Sequence, residues 1–101
     1  MHVRITERAM EQLKKLDIEP IVLRVDVKPS TNCSVFVDIE LTLDELNKKE
    51  VVYEQNGLYI QMDSYAKEYI GDELNVDYGT GFRLYTPNET LAYGMSVRRK
   101  K

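Results

Sequence analysis

Cys33 is the only thiol in the chain, and His2 is the only histidine. A thiolate is a soft metal ligand or a nucleophile. Either use needs partners: further thiolates for a cluster, or a base held in hydrogen-bond geometry for covalent chemistry. His2 stands at the second residue, where a loose terminus is expected, so a Cys33–His2 pair is not expected. A Ser-His-Asp set would need the same histidine. Gly79-Thr80-Gly81 is too short to cradle a phosphate and opens no helix. Asp38 and Glu40 lie two residues apart and share one strand face, which a solvated sheet surface explains better than acid–base work. No catalytic residue is assigned, and no enzymatic activity is expected. Cys33, within Lys28-Pro29-Ser30-Thr31-Asn32-Cys33-Ser34, remains as the candidate metal ligand. As a redox sensor or nucleophile it would depend on the nearby Lys28 to favour the thiolate.

The elements that must position this loop follow from periodicity. Ile21-Val22-Leu23-Arg24-Val25-Asp26-Val27 puts Leu23, Val25 and Val27 on one face and Arg24 and Asp26 on the other, which predicts a strand. On the far side of Cys33, residues 35–43 alternate likewise, with Val35, Val37, Ile39 and Leu41 against Phe36, Asp38, Glu40 and Thr42. Upstream, Ala9, Met10, Leu13 and Leu16 recur at helical spacing behind Thr6, a suitable N-cap, over residues 6–16. Residues 44–49 are polar, a loop or one helical turn. Asn56-Gly57 between two apolar runs predicts a tight hairpin. Asp63 or Ser64 starts a short helix through Ile70, and Gly71 ends it. Residues 74–78 and 82–86 predict two strands around Gly79-Thr80-Gly81, and residues 91–97 a final one. Short connections within these pairs favour antiparallel pairing. The fold class is α+β, β-dominated. The tyrosines fall at hairpins and edges, where they could form an interface but more readily cover the sheet rim.

The chain has 101 residues, 43% hydrophobic and 31% charged, which fits one globular domain. No apolar run is long enough to span a bilayer. The first residues lack the apolar core of a signal peptide, and one cysteine suits a reducing compartment. A cytoplasmic protein with no membrane partner is expected. The formal charge is −3, from 14 basic and 17 acidic residues. Four of the basic residues close the chain as Arg98-Arg99-Lys100-Lys101; without them the balance is 10 against 17, or −7. An acidic body argues against a nucleic-acid surface. The domain is drawn over residues 1–97, with 98–101 as a frayed basic tail.

The order and spacing of several short pieces resemble the HesB/IscA-like family, the A-type iron–sulfur cluster carriers. The pieces are Ile5-Thr6 and Ala9, Leu23-Arg24-Val25, Cys33-Ser34, Gly57-Leu58 with Ile60 and Met62-Asp63, Tyr69-Ile70-Gly71, Leu74 with Val76-Asp77-Tyr78, and Gly81-Phe82-Arg83-Leu84 with Pro87-Asn88. The resemblance implies two small, mostly antiparallel sheets with an N-terminal helix and one short internal helix, often as a homo-oligomer. It also implies iron or an iron–sulfur cluster as the bound group, and a protein partner in iron–sulfur assembly. Carriers of this type use three cysteines. The first matches Cys33, while the C-terminal Cys-Gly-Cys aligns on Tyr93-Gly94-Met95. Both of those thiols are absent here, and the family's Asn-Pro-Asn reads Thr86-Pro87-Asn88. The glycines expected after the first cysteine are replaced by Ser34-Val35. A cluster is usually held by about four thiolates. With one cysteine per chain, a dimer offers two and a tetramer four. Two readings follow: iron or a labile cluster bound through Cys33 across an oligomer, or a metal-free interaction module on the same scaffold.

Overall fold

The computed structural model describes residues 1–30 and 37–99. Cys33, Val35 and Phe36, on which the site and one strand boundary were placed, lie outside them, as do Lys100 and Lys101. Among the described residues, nine strands and two helices follow in the order β1 (His2–Ile5), α1 (Glu7–Lys14), β2 (Ile21–Pro29), β3 (Val37–Leu43), β4 (Val51–Gln55), β5 (Leu58–Gln61), α2 (Ser64–Ile70), β6 (Glu73–Tyr78), β7 (Phe82–Tyr85), β8 (Thr90–Met95) and β9 (Val97–Arg99). A 3-10 turn covers Lys48–Glu50. One sheet runs β1-β6-β7-β8 and the other β4-β5-β2-β3-β9. The fold is thus the expected β-dominated α+β class.

Four pairs of sequence-adjacent strands are antiparallel: β2 with β3, β4 with β5, β6 with β7 and β7 with β8. Asn56 and Gly57, at φ 52° and 79°, form the tight β4–β5 turn. Three further pairings are parallel: β1 with β6, β2 with β5, and β3 with β9. The first corrects the expectation for His2. It is not in a loose terminus but in β1, opposite Glu73. The last moves the boundary drawn at residue 97. Arg98 and Arg99 belong to β9, opposite Thr42 and Leu43. Residues 91–97 are also not one strand. The chain leaves β8 at Met95, passes through Ser96 and enters β9 in the other sheet.

The core lies between the sheets and under both helices. Leu23, Val25 and Val27 of β2 are buried with Leu41, Leu58, Ile60, Leu74, Val76 and Leu84, so the period-two alternation does orient β2. Ala9 and Leu13 bury the inner face of α1. That helix stops at Lys14, where Asp17 turns left-handed (φ 53°) before the strand.

Polar groups fix where the elements sit. Thr6 caps α1 by accepting from the Ala9 N–H at 3.2 Å, and its own hydroxyl donates to Asp77 Oδ1 at 2.7 Å. One side chain therefore ends the helix and ties it to β6. Asp63 caps α2 through the Ala66 N–H at 2.9 Å. The fully buried Gln61 accepts from the Asn47 N–H at 2.9 Å and donates to the Glu45 carbonyl at 2.8 Å, which holds the polar 44–50 segment against the sheet. Beside it, the Arg24 guanidinium bonds both Asp44 and Glu50. Burial alone would lower the Arg24 pKa, but these two carboxylates together hold it above the ordinary value.

Candidate functional site

Of the three positions singled out, the described residues contain Tyr93 and Met95, both on β8. They do not converge. Ala92 opposes Leu84 and Met95 opposes Phe82, so β8 spends one residue more than β7 over the same span. Such a bulge breaks the rule that residues two apart share a face. Gly94 absorbs the turn at φ 64°. Met95 faces inward and packs against the core, while Tyr93 is 80% exposed.

The bulge is fixed from the β7 side by Gly81. A Cβ there would lie 2.7 Å from the Gly94 carbonyl carbon, 2.8 Å from its Cα and 3.0 Å from the Met95 nitrogen. Only a residue without a side chain lets the two backbones approach so closely. The β7–β8 turn keeps its cap despite the Asn-to-Thr change in the family's motif. The Thr86 hydroxyl accepts from the N–H groups of Asn88 and Glu89, each at 3.2 Å, doing what an asparagine side chain does in such turns.

Tyr93 and Met95 line an open groove of about 860 Å³ between β8 on one side and β3 on the other. Its walls carry Val37, Ile39 and Leu91, with Asp38, Glu40, Arg83 and Arg98 around them. Asp38 and Glu40 are exposed, as expected of a solvated sheet face, but they face this groove rather than open solvent alone. The two arginines were not foreseen as site residues. The Phe82-Arg83-Leu84 alternation does point Arg83 outward, but nothing local to Arg98 announces its strand. Arg83 also stacks on the Tyr85 ring, 4.3 Å from its centroid.

Tyr93 and Met95, one a solvent-facing phenol and the other a core-packed thioether, do not fit a cluster as a ligand pair. Among the described residues, no group of three or more His, Cys, Asp or Glu side chains is placed to hold a metal ion. The position of His2 leaves it beside Arg4, whose Nε donates to its ring at 3.4 Å. Lys28, considered as a thiolate-favouring neighbour, is paired with Asp26 at 3.3 Å. The remaining tyrosines are divided: Tyr53 and Tyr78 pack against the core, whereas Tyr65 and Tyr69 on α2 are exposed. No helix is long and apolar enough to cross a membrane among the described residues.

The two mixed sheets, the capped helices and the β7–β8 arm define a HesB-like domain. The chain belongs to the family described as iron-sulphur cluster biosynthesis, which matches residues 1–99. Its structural relatives agree on the fold. IscA, solved with its [2Fe-2S] cluster, is 27% identical over 98% of both chains, with a TM-score of 0.64. Escherichia coli SufA, involved in biosynthesis of iron–sulfur clusters, is 20% identical over 92% of this chain and 87% of its own, at 0.67. A Lactobacillus salivarius protein ascribed to Fe–S biosynthesis is 20% identical over 98% of both chains, at 0.71. No curated protein matches the chain.

Proposed function

We propose that this protein works in iron–sulfur cluster assembly as a non-enzymatic, cytoplasmic component. Cys33 is the one thiolate each copy offers to iron or a labile cluster, and another protein of the assembly machinery is its partner. The supporting observation is the family match across residues 1–99, joined to a cysteine at the position the family resemblance assigns to the first ligand. Because a cluster takes about four thiolates and each chain has one cysteine, this reading requires a homo-oligomer. Cluster and iron are cargo here, and β8 adds no second ligand to the thiolate. Anaerobic reconstitution with ferrous iron and sulfide tests it. Sub-stoichiometric iron and sulfide, lost in Cys33→Ser, are expected; no loading, or loading unchanged in the variant, overturns it.

A second reading, a metal-free interaction module, draws support from the same bulge. Where carriers place two thiols, this chain exposes a phenol and packs a thioether inward. This reading expects saturable binding to an assembly protein with equal affinity in wild type and Cys33→Ser. A tenfold loss of affinity on removing the thiol would rule it out.

A further inference from the structure

We propose that the cleft between α1, the β6–β7 turn and β8 binds a small organic oxyanion, one carrying a carboxylate or phosphate group, through Arg8 and Arg83. The site does not involve Cys33, and it stands or falls apart from the cluster reading above.

The first observation is how the two guanidiniums are set. Arg8 comes from the first turn of α1 and Arg83 from β7, and both line a cleft of about 430 Å³. Arg83 stands directly opposite Asp77 in the β6–β7 register, so the two side chains share a face. Arg8 approaches the same carboxylate from the helix, with Nη2 3.5 Å from Oδ2. That is long for a charged hydrogen bond, which spans about 2.7–2.9 Å. Asp77 Oδ1 is already occupied by the Thr6 hydroxyl at 2.7 Å and the Tyr78 N–H at 2.8 Å. Asp77 therefore gathers two arginines while leaving most of their donors unused. Among the described residues no carboxylate forms an ion pair with Arg83. Its guanidinium lies over the Tyr85 ring, 4.3 Å from the centroid, which fixes its plane and leaves the N–H edge free for an in-plane acceptor.

The second observation selects the ligand. Arg8, Arg83 and Asp77 are the charged residues of the lining, so the cleft carries one net positive charge on a chain of −3. The Gly79-Thr80-Gly81 turn, too short to cradle an anion by itself, keeps one wall open. A Cβ at Gly79 would meet nothing within 4 Å, and Thr80 adds an exposed hydroxyl. From the other side Tyr93, turned outward by the β8 bulge, adds a phenol donor. Guanidiniums and hydroxyls all donate to an oxyanion, and the guanidinium fork matches carboxylate and phosphate alike. The volume falls within the range of small-molecule sites, about 300–1,000 Å³, which favours an organic acid or ester over a bare ion.

Isothermal titration calorimetry on metal-free Cys33→Ser protein tests this, with citrate and glycerol 3-phosphate as separate probes at low ionic strength. Removing metal and thiol prevents either probe from binding through iron. At least one probe should bind with a Kd of about 0.1–1 mM. Arg8→Gln and Arg83→Gln, added singly, should each weaken it at least about tenfold, since each removes hydrogen bonds to a charged group. Arg8→Lys keeps the charge but loses the fork, and should bind more weakly than its parent and more tightly than Arg8→Gln. Arg99→Gln makes the same charge change outside the cleft and should bind as the parent does. All three arginines are exposed, and unchanged urea midpoints show that the variants remain folded. Tighter binding of citrate assigns a carboxylate, and tighter binding of glycerol 3-phosphate assigns a phosphate ester. A Kd above about 10 mM for both probes, binding unchanged in the two cleft variants, or a loss as large in Arg99→Gln overturns the proposal. Anion binding by a protein whose wild type takes up no iron and sulfide upholds this site and removes the cluster reading; loading without anion binding does the reverse.

Discussion

Replacing Gly81 by alanine should damage this fold more than replacing Gly94, although only Gly94 has a positive φ. At Gly81 the added methyl would stand 2.7 and 2.8 Å from two backbone carbons of Gly94, against about 3.5–4.0 Å for an ordinary carbon contact. Both obstacles are backbone, so no rotamer change relieves them. β7 and β8 must part by roughly 1 Å or the bulge must shift, at the upper end of overpacking costs, about 2–3 kcal/mol. At Gly94 an added Cβ meets nothing within 4 Å, and the cost is that of a left-handed alanine, about 1 kcal/mol. For a domain of this size, about 1 kcal/mol corresponds to some 4–8 °C in Tm. Gly81→Ala should thus melt roughly 10–20 °C lower and Gly94→Ala roughly 4–8 °C lower, by calorimetry at neutral pH with urea titration as the second measure. Because the two glycines touch, the double variant should depart from additivity. If Gly81→Ala stays within about 0.5 kcal/mol of wild type, or Gly94→Ala is the worse of the two, the close approach does not fix the bulge and does not hold Tyr93 outward.

Two further perturbations probe the frame behind the site. Arg24→Met should destabilise by about 2–4 kcal/mol in urea titration, because Asp44 and Glu50 lose the guanidinium that both bond and only part of each remains open to water; a loss below about 1 kcal/mol would mean water replaces it freely. Asp77 should give a pH dependence. Its bond from the Thr6 hydroxyl, then that from the Tyr78 N–H, holds its carboxyl below the usual range. The resulting stabilisation is complete above the unfolded value of about 3.9 and is lost as pH falls through the lower folded value. Stability measured from neutral pH down to about pH 2 should fall less steeply in Asp77→Asn than in wild type, and parallel curves would count against this assignment.

Much of the local structure was legible because its causes are local. Asp63 and Gly71 bound α2, Asn56-Gly57 turns the β4–β5 hairpin, and Thr6 starts α1, each through bonds within a few residues. The alternation of Arg24 and Asp26 with Leu23, Val25 and Val27 correctly oriented β2. The same alternation placed Asp38 and Glu40 on one face, although not what stands opposite them.

The order of short motifs suffices to name the family, and the loss of two of its three cysteines is read directly from the sequence. Sequence alone thus determined the type of most elements, though not β1 or β9, together with the family and the poverty of the ligand set. Tertiary structure decided the parallel pairings of β1 with β6, β2 with β5 and β3 with β9, because contacts between distant strands leave no turn signature at either end. It also decided that Tyr93 and Met95 face apart. That depends on an extra residue in β8 and on the absence of a side chain at Gly81 on the neighbouring strand, a steric fact that exists only once the two strands touch.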